Sequence, residues 1–402
     1  MRLCNNICDV LVVGGGPAGL AAAIALRQRG AEVTVADALR PPIDKPCGEG
    51  LMPDSRRELA RLGVDPGPGH GAAFRGILYA DQRAEVSAEF PRGVGLGVRR
   101  TVLQRLLLER AAALGVRFQW GSPVTVRKGL PVTVGGERVG CQWLVGADGM
   151  ASQARAWAGL EAAKVRSRRF GFRAHFRRAP WSEFVEIHWG AKGEAYVTPV
   201  GADEICVAAM SRTPTGRLDE IVEHLPALRE RLAGAERTTA ERGSVTLTRR
   251  LRRVTRGNVA LVGDASGSVD AITGEGLGLS FRQALLLAES LEAGGCARYE
   301  AGHAALAALP RRMAELLLLM DRFPALQRRA MGALTTRPEL FRGLLAVHVG
   351  EQPLPRYLLR HGATMGALML AAREGTPEDL GSGVTAPAEA GGTRVGVVPR
   401  GS

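Results

Sequence analysis

The sequence predicts an α/β fold in which one strand-and-helix domain, assembled from separated segments, is interleaved with an antiparallel sheet and followed by a helical region. Three observations predict it. Asp9–Val13 is an apolar, mostly β-branched run that enters a glycine-rich turn, Gly14–Gly19, and then a breaker-poor stretch to Gly30. Two later apolar runs, 142–149 and 258–265, each contain an acid beside a glycine at their ends. Between them, residues 169–209 read as short alternating runs separated by turns.

The first stretch follows from residue chemistry. A continuous apolar run suits a strand buried on both faces, and the Ala- and Leu-rich segment after it suits a helix. In the turn, Gly14 permits the tight bend, Gly16 lets a pyrophosphate approach the backbone, and Gly19 lets helix and strand pack closely. Pro17 and Ala18 open the helix, whose unpaired N–H groups and positive dipole end attract phosphate. The next run, 31–37, ends in Asp37, about 20 residues after the glycines, where a carboxylate accepts ribose hydroxyls. Strand before, helix after and acid beyond make this a Rossmann-type dinucleotide site.

Further along, breakers make 41–50 a loop, and 55–62 reads as a helix capped by Asp54 or Ser55 and stopped by Gly63. Residues 74–90 alternate loosely like strands, 99–111 form an amphipathic helix ended by Gly115, and 116–120 and 124–128 read as strands. The runs 170–176, 184–189, 195–199 and 205–209 suit a separate antiparallel sheet covering a cofactor. Helix formers fill 218–232 and 279–291, and 299–373 is helical with proline interruptions. From Gly375 the composition turns to Gly, Pro, Thr and Ala, as in a disordered tail, and Val398–Ser402 resembles a protease-cleavage scar. The expected divisions are 1–75, 95–165 and 245–298 for the nucleotide domain, 76–94 and 166–244 for a substrate-binding sheet, 299–374 for helices and 375–402 for the tail.

At 402 residues and 46% hydrophobic the chain can bury a large core. Its net charge of +13 comes from 49 arginines and only four lysines, scattered without long runs or interleaved aromatics. This distribution argues against nucleic-acid binding and leaves contact with an acidic carrier or an anionic membrane surface open. Six dispersed cysteines without a C-x-x-C pair suggest neither a disulfide framework nor a metal site. No secretory signal is evident and no apolar run reaches the roughly 18 residues of a spanning helix, so a cytoplasmic location is expected. Nothing in these features sets an oligomeric state.

Taken together, the three corners resemble the FAD-binding signatures of the para-hydroxybenzoate hydroxylase-like flavoprotein superfamily, across roughly residues 9–300. The resemblance implies FAD as cofactor, its adenine end at Gly14, Gly16, Gly19 and Asp37. The second corner is Asp148 and Gly149, continuing to Ser152 and Arg155. At the third, Gly263 and Asp264 meet the ribityl chain, and Gly274, Glu275, Gly276 and Leu277 lie against the pyrimidine edge, where reduction gathers negative charge. Arg100 matches a position whose guanidinium contacts the cofactor.

The segment Lys45–Gly50, with Cys47 and Gly48, is similar to the K-x-C-G loop of the geranylgeranyl reductase-like branch, which lies near the flavin. In that branch an aromatic Y-x-W-x-F-P stretch lines a prenyl channel. Here Tyr196-Val197-Thr198-Pro199 puts Val and Thr in place of Trp and Phe, and Asp270–Thr273 stands where many relatives place a proline. The resemblance therefore implies an NAD(P)H-dependent monooxygenase hydroxylating or epoxidising an apolar or aromatic small molecule of secondary metabolism. NAD(P)H would be a transient reductant, since no second G-x-G-x-x-G domain is evident. A geranylgeranyl reductase-like ene-reductase and a non-catalytic flavin-binding accessory protein are the alternatives. Candidate catalytic groups are Cys47 and, on the covering sheet, His175, His188 and Tyr196, because His titrates near neutrality and Tyr can donate to an oxyanion. Trp181 and Trp189 are candidate pocket walls, and Met313, Leu316–Leu319 and Met320 read as core or as a greasy cap over a substrate mouth.

Overall fold

The structure, a computed structural model, describes residues 7–67, 69–126, 132–161, 163–214 and 216–371. The first apolar run forms a strand inside a sheet. Strand Ile7–Val13 lies between Gly140–Gly146 and Val33–Asp37, parallel to both, in a six-stranded sheet completed by Arg117–Trp120, Val259–Leu261 and Thr255–Arg256. Leu11, Val12 and Val35 are fully buried, as a parallel strand covered on both faces requires. Helices Pro17–Arg27, Arg100–Ala113 and Gly276–Glu292 bury Ile24, Leu103, Leu107, Phe281 and Leu287 with Val12 and Val35 in one core.

The second sheet has eight strands. Its long strand Ala163–Arg177 pairs antiparallel with Glu204–Ser211 and with Arg242–Leu251, and the order continues through Gly193–Pro199 and Phe184–Gly190 to Gly76–Ala80 and Glu85–Glu89. Phe184–Gly190 and Gly76–Ala80 run parallel, so this cover sheet is mixed at one junction. Two expected divisions shift. Residues 245–251 continue the strand begun at Arg242, and the long strand already starts at Ala163, so the cover sheet reaches past both sides of the boundaries read at 166 and 245. The third apolar run forms a strand of three residues, Val259–Leu261, before a 3-10 turn at Gly263–Ser266. The strand expected at 124–128 is only Val124–Thr125, in a small separate sheet, and residues 127–131 lie outside the described residues.

The helical region contains Ala297–Leu306, Ala308–Arg322, Pro324–Thr336, Pro338–His348 and Leu354–Ala371. Pro324 and Pro338 stand at the first helical position, so two of the apparent interruptions start helices. Ala314, Leu317, Met331, Leu334 and Phe341 from these helices pack with Ile77, Val185, Ile187 and Trp189 of the second sheet. No helix among the described residues is long and apolar enough to cross a membrane. The expected tail, 375–402, lies outside the described residues.

Candidate active site

The three corners meet as the glycine chemistry requires. Gly14 has φ +112°, and a Cβ there would come within 2.5 Å of the Ala147 carbonyl oxygen. A Cβ on Gly19 would fall 1.9 Å from the Gly14 carbonyl oxygen, so Gly19 serves the contact of helix with strand and does not line the cavity. Gly16 differs. A Cβ there meets nothing within 4 Å, and the same holds for Gly276, so both leave open space beside a helix start. Gly263 and Gly274 take the left-handed conformation, at φ +59° and +68°.

The corner acids divide by role. Asp37 faces the cavity while accepting the Gly15 N–H at 2.7 Å and the Leu39 N–H at 2.8 Å. Asp148 accepts the N–H groups of Gln153 (2.7 Å) and Ala154 (3.0 Å) and the Ser152 hydroxyl, so its carboxylate builds the second corner by capping helix Gln153–Trp157. Buried Arg155 donates to the carbonyls of Met150 (3.0 Å) and Ala265 (3.2 Å), tying the second corner to the third. Asp264 opens onto the cavity but lies deep in the fold. That depth raises its carboxyl, and the charges of Arg100 and Lys45 oppose the rise.

One connected cavity of about 1190 Å3 joins the corners to the second sheet. It exceeds the roughly 300–1,000 Å3 of a typical small-molecule site, leaving room for a dinucleotide and a second molecule. One part is lined by Gly14, Gly16, Pro17, Ala18, Asp37, Asp148, Gly149, Gly263, Asp264, Gly274, Gly276 and Leu277, with Arg100 and Lys45. The other is apolar: Phe74, Ile77, Val185, Ile187 and Trp189 of the sheets face Met313, Leu317, Met331, Leu334 and Phe341 of the helical region. The greasy helix residues are therefore the chamber's outer wall, with Leu316 and Met320 also lining it. Glu275 precedes helix Gly276–Glu292 but does not line the cavity; it is buried against Arg282 and His348, and burial raises its carboxyl.

Between the two parts runs the loop 43–50, and almost every residue of it is held. Ile43 N–H donates to Gln104 Oε1 (2.7 Å), and Asp44 pairs with Arg173 and Arg242. Thr198 donates its hydroxyl to the Gly48 carbonyl at 2.7 Å, and the Cys206 thiol points to the Cys47 carbonyl at 3.7 Å. Cys47 and Gly48 both line the cavity, as expected of a loop beside the cofactor.

The four catalytic candidates separate. Cys47 and Tyr196 line the cavity; His175 and His188 do not. In strand Phe184–Gly190, Val185, Ile187 and Trp189 face the chamber, so the alternating Glu186 and His188 face away. His188 Nε2 is 2.8 Å from Glu186 Oε2, and Trp181 Nε1 donates to the same carboxylate at 2.8 Å, which removes Trp181 from the pocket wall along with His188. Burial pushes the Glu186 carboxyl up, but His188, Arg231 and Trp181 together hold it below its ordinary value. Replacing His188 by Gln is expected to lower stability by about 1–3 kcal/mol and to leave kcat within about twofold, as thermal melts and turnover assays will read. His175 is buried beneath the 43–50 loop, 2.7 Å from Glu49 Oε2.

With Pro199 at the Pro of the aromatic stretch, Thr198 directly before it stands at the Phe position, and steps of two from there put Tyr196 at the Trp position and Glu194 at the Tyr position, one residue off the expected register. Tyr196 and Thr198 line the cavity, whereas Val197 packs on the other face with Leu218 and Ile221. An aromatic wall residue is thus kept, and the larger change is an acid at 194.

Glu194 is fully buried and forms a 2.6 Å ion pair with Arg169, which also meets Asp270 at 3.2 Å and Asp321 at 3.9 Å. Arg212 takes Asp321 at 2.6 Å, so Arg169 stays charged between Glu194 and Asp270 and cannot neutralise both. Burial, with Asp321 and Asp270 adding to it against Arg169, raises Glu194 to about 7, and the Tyr196 hydroxyl donates to it at 3.1 Å. Unfolded, this carboxyl releases its proton near 4.5. The folded chain therefore binds more protons between these values, so stability falls as pH rises through that window. Glu194→Gln is expected to flatten the fall, read from denaturant midpoints on either side of the window.

Sequence reasoning assigned no individual role to three residues that brace or line the site. Gln104, 1% exposed on the apolar face of its helix, donates to the Gly15 carbonyl at 3.0 Å and so links the first corner to the 43–50 loop. A polar residue at a core position of an amphipathic helix was its signal. Lys45 reaches the second corner, its Nζ 3.4 Å from where a Cβ on Gly149 would stand. Glu49, between two glycines, lies buried and bonds to His175 and to the Arg100 N–H.

Comparison with known proteins gives the family of the chain. Residues 7–307 match the family described as FAD binding domain, and the chain belongs to that family. It is an FAD-dependent enzyme of an oxidoreductase and monooxygenase family. It is 29% identical over 362 residues to the menaquinone reductase of Mycolicibacterium smegmatis, covering 79% of this chain and 86% of the relative. It is 27% identical to the ubiquinone hydroxylase of Rhodospirillum rubrum, covering 91% of each. In fold it is similar to a flavoprotein/dehydrogenase from Cytophaga hutchinsonii, with a TM-score of 0.77 and 16% identity over 91% of this chain and all of that one. The residues fit FAD: the open cradles at Gly16 and Gly276 would admit its diphosphate and ring edge, and Arg100 and Lys45 supply cationic charge along the trough.

Proposed function

We propose that this enzyme is an NAD(P)H-driven, FAD-dependent reductase of a carbon–carbon double bond in an apolar, chain-like molecule such as a polyprenyl quinone. The observation that carries the reading is Cys47, which lines the cavity on the loop between the cofactor trough and the apolar chamber. Bound FAD supplies the hydride. The protein's residues do the rest. The helix start at Pro17 and the open backbone at Gly16 hold the diphosphate, and the Gly274–Leu277 turn holds the ring edge. The chamber walls exclude water and align the chain. Cys47 holds the proton that goes to one carbon of the double bond as the hydride goes to the other, and the thiol regains a proton from solvent. The substrate gains two hydrogens, and NAD(P)H is oxidised.

The similarity to menaquinone reductase supports this substrate class. So does the partial exposure of apolar cavity-lining residues: Leu316 and Val245 line the cavity and are 41% and 39% exposed, as suits entry of a lipophilic molecule. Delivery from an anionic membrane surface would suit the net charge of +13. A second reading, oxygenation of the same substrate class, is favoured by the loss of the aromatic residue at Thr198 and by the end-to-end similarity to a ubiquinone hydroxylase. Turnover with a polyprenyl quinone, NADH or NADPH and FAD-loaded protein, with and without oxygen, decides. Reduction gives a product two hydrogens heavier in both atmospheres; oxygenation gives a product carrying oxygen from O2 and none without it.

A further inference from the structure

Glu49 is the only non-glycine residue with positive φ among the described residues, at φ +60°, although Gly48 and Gly50 flank it. A glycine would adopt that conformation freely, whereas a glutamate there is strained. What the glutamate adds is a carboxylate, and it is fully used. Glu49 is 2% exposed; Oε1 accepts the Arg100 N–H at 2.9 Å and Oε2 is 2.7 Å from His175 Nε2. His175 is 1% exposed, and its Nδ1 faces Arg173 Nη1 at 3.1 Å, Arg99 Nη2 at 3.4 Å and the Thr239 hydroxyl at 3.0 Å. Two guanidinium donors on Nδ1 place the ring hydrogen on Nε2, directed at Glu49. The Glu49, His175 and Cys206 ligand atoms lie within 4.8 Å of one another, a spacing that would suit a cation. With Nε2 carrying the hydrogen, that nitrogen donates to the carboxylate and has no lone pair to offer a metal.

We propose that Glu49 and His175 are the positioning pair of this site: their buried contact locks the loop so that Cys47 keeps a fixed place relative to Arg100 and the cofactor. The carboxylate ties together three elements that the sequence separates: its own loop, the first turn of the Arg100–Ala113 helix, and the long strand of the cover sheet. Neither residue touches the reacting atoms; both act through Cys47 and Arg100. The pair rests on the reading of Cys47 as proton donor only for its effect on turnover.

The test uses full-length, FAD-loaded protein and two readouts. One is the rate of Cys47 alkylation by iodoacetamide, resolved by site with mass spectrometry; the other is kcat against KM for double-bond reduction. Glu49→Gly relieves the backbone but removes the carboxylate, His175→Leu removes the donor, and His175→Gln keeps a donor on a similar reach. Glu49→Gly and His175→Leu are expected to raise Cys47 alkylation about tenfold and to lower kcat about tenfold with KM little changed, while His175→Gln recovers most of both. The proposal is overturned if Glu49→Gly alkylates and turns over like the parent, or if His175→Gln and His175→Leu are equally impaired. Should Glu49→Gly not fold, the two His175 variants decide alone. If Cys47→Ala reduces the double bond like the parent, the reading of Cys47 as proton donor fails, while Cys47 alkylation in the Glu49 and His175 variants still judges the pair.

Discussion

Cys47→Ala is expected to lower kcat for double-bond reduction by about 10²–10⁴-fold, the range for a positioned proton donor, and to leave FAD bound. The thiol is a proton-bearing group on the loop between trough and chamber, and its sulfur makes a weak contact with the Glu49 N–H at 3.4 Å. Removing it therefore takes away a proton without releasing the loop, which Asp44, Gly48 and Glu49 hold through Arg173, Thr198 and His175. Turnover and FAD titration on the same preparation check this. Unchanged kcat would mean that the proton comes from elsewhere or that no proton is transferred.

The second large effect is a contrast between two glycines of one turn. Gly19→Ala places a methyl group 1.9 Å from the Gly14 carbonyl oxygen and 3.2 Å from the Ala147 Cβ, atoms that cannot swing aside. The helix must lift from the strand, at a cost of about 1–3 kcal/mol or more, and FAD binding is expected to be lost with it. Gly16→Ala adds a methyl group that meets no protein atom, in a backbone conformation of φ −75° and ψ 177° that alanine adopts. Its apoprotein is expected to melt within about 0.5 kcal/mol of the parent, with FAD affinity about tenfold weaker or worse, a loss of about 1.4 kcal/mol. Thermal melts without FAD and fluorescence titration with it read both variants. A Gly16→Ala protein that binds FAD like the parent would move the diphosphate away from this turn.

These corners were legible because their geometry is local. A tight turn, a helix start and a short strand write their needs into adjacent glycines and acids, and Gly14, Gly16 and Asp264 all face the cavity as read. The facing of the cover sheet was not legible. Alternation says that His188 and Ile187 point to opposite sides, but only the packing of Leu218 and Leu317 on opposite faces says which side is the chamber. Glu49 and His175 are 126 residues apart, and their contact exists only once a loop of one domain meets a strand of the other. Pro324 and Pro338 looked like breaks because a proline at a helix start and a proline between helices leave the same mark in a sequence.

The central claim, that the apolar chamber delivers a double bond to the cofactor beside Cys47, is tested most directly by the flavin itself. FAD-loaded protein is reduced with NAD(P)H under strict anaerobiosis and mixed in a stopped-flow cell with a polyprenyl quinone whose quinone ring is already fully reduced. The account predicts that the yellow absorbance of oxidised flavin returns as the chain is saturated, with no oxygen present and much more slowly in Cys47→Ala. Flavin that stays reduced until oxygen is admitted, and then yields an oxygenated product, would contradict it.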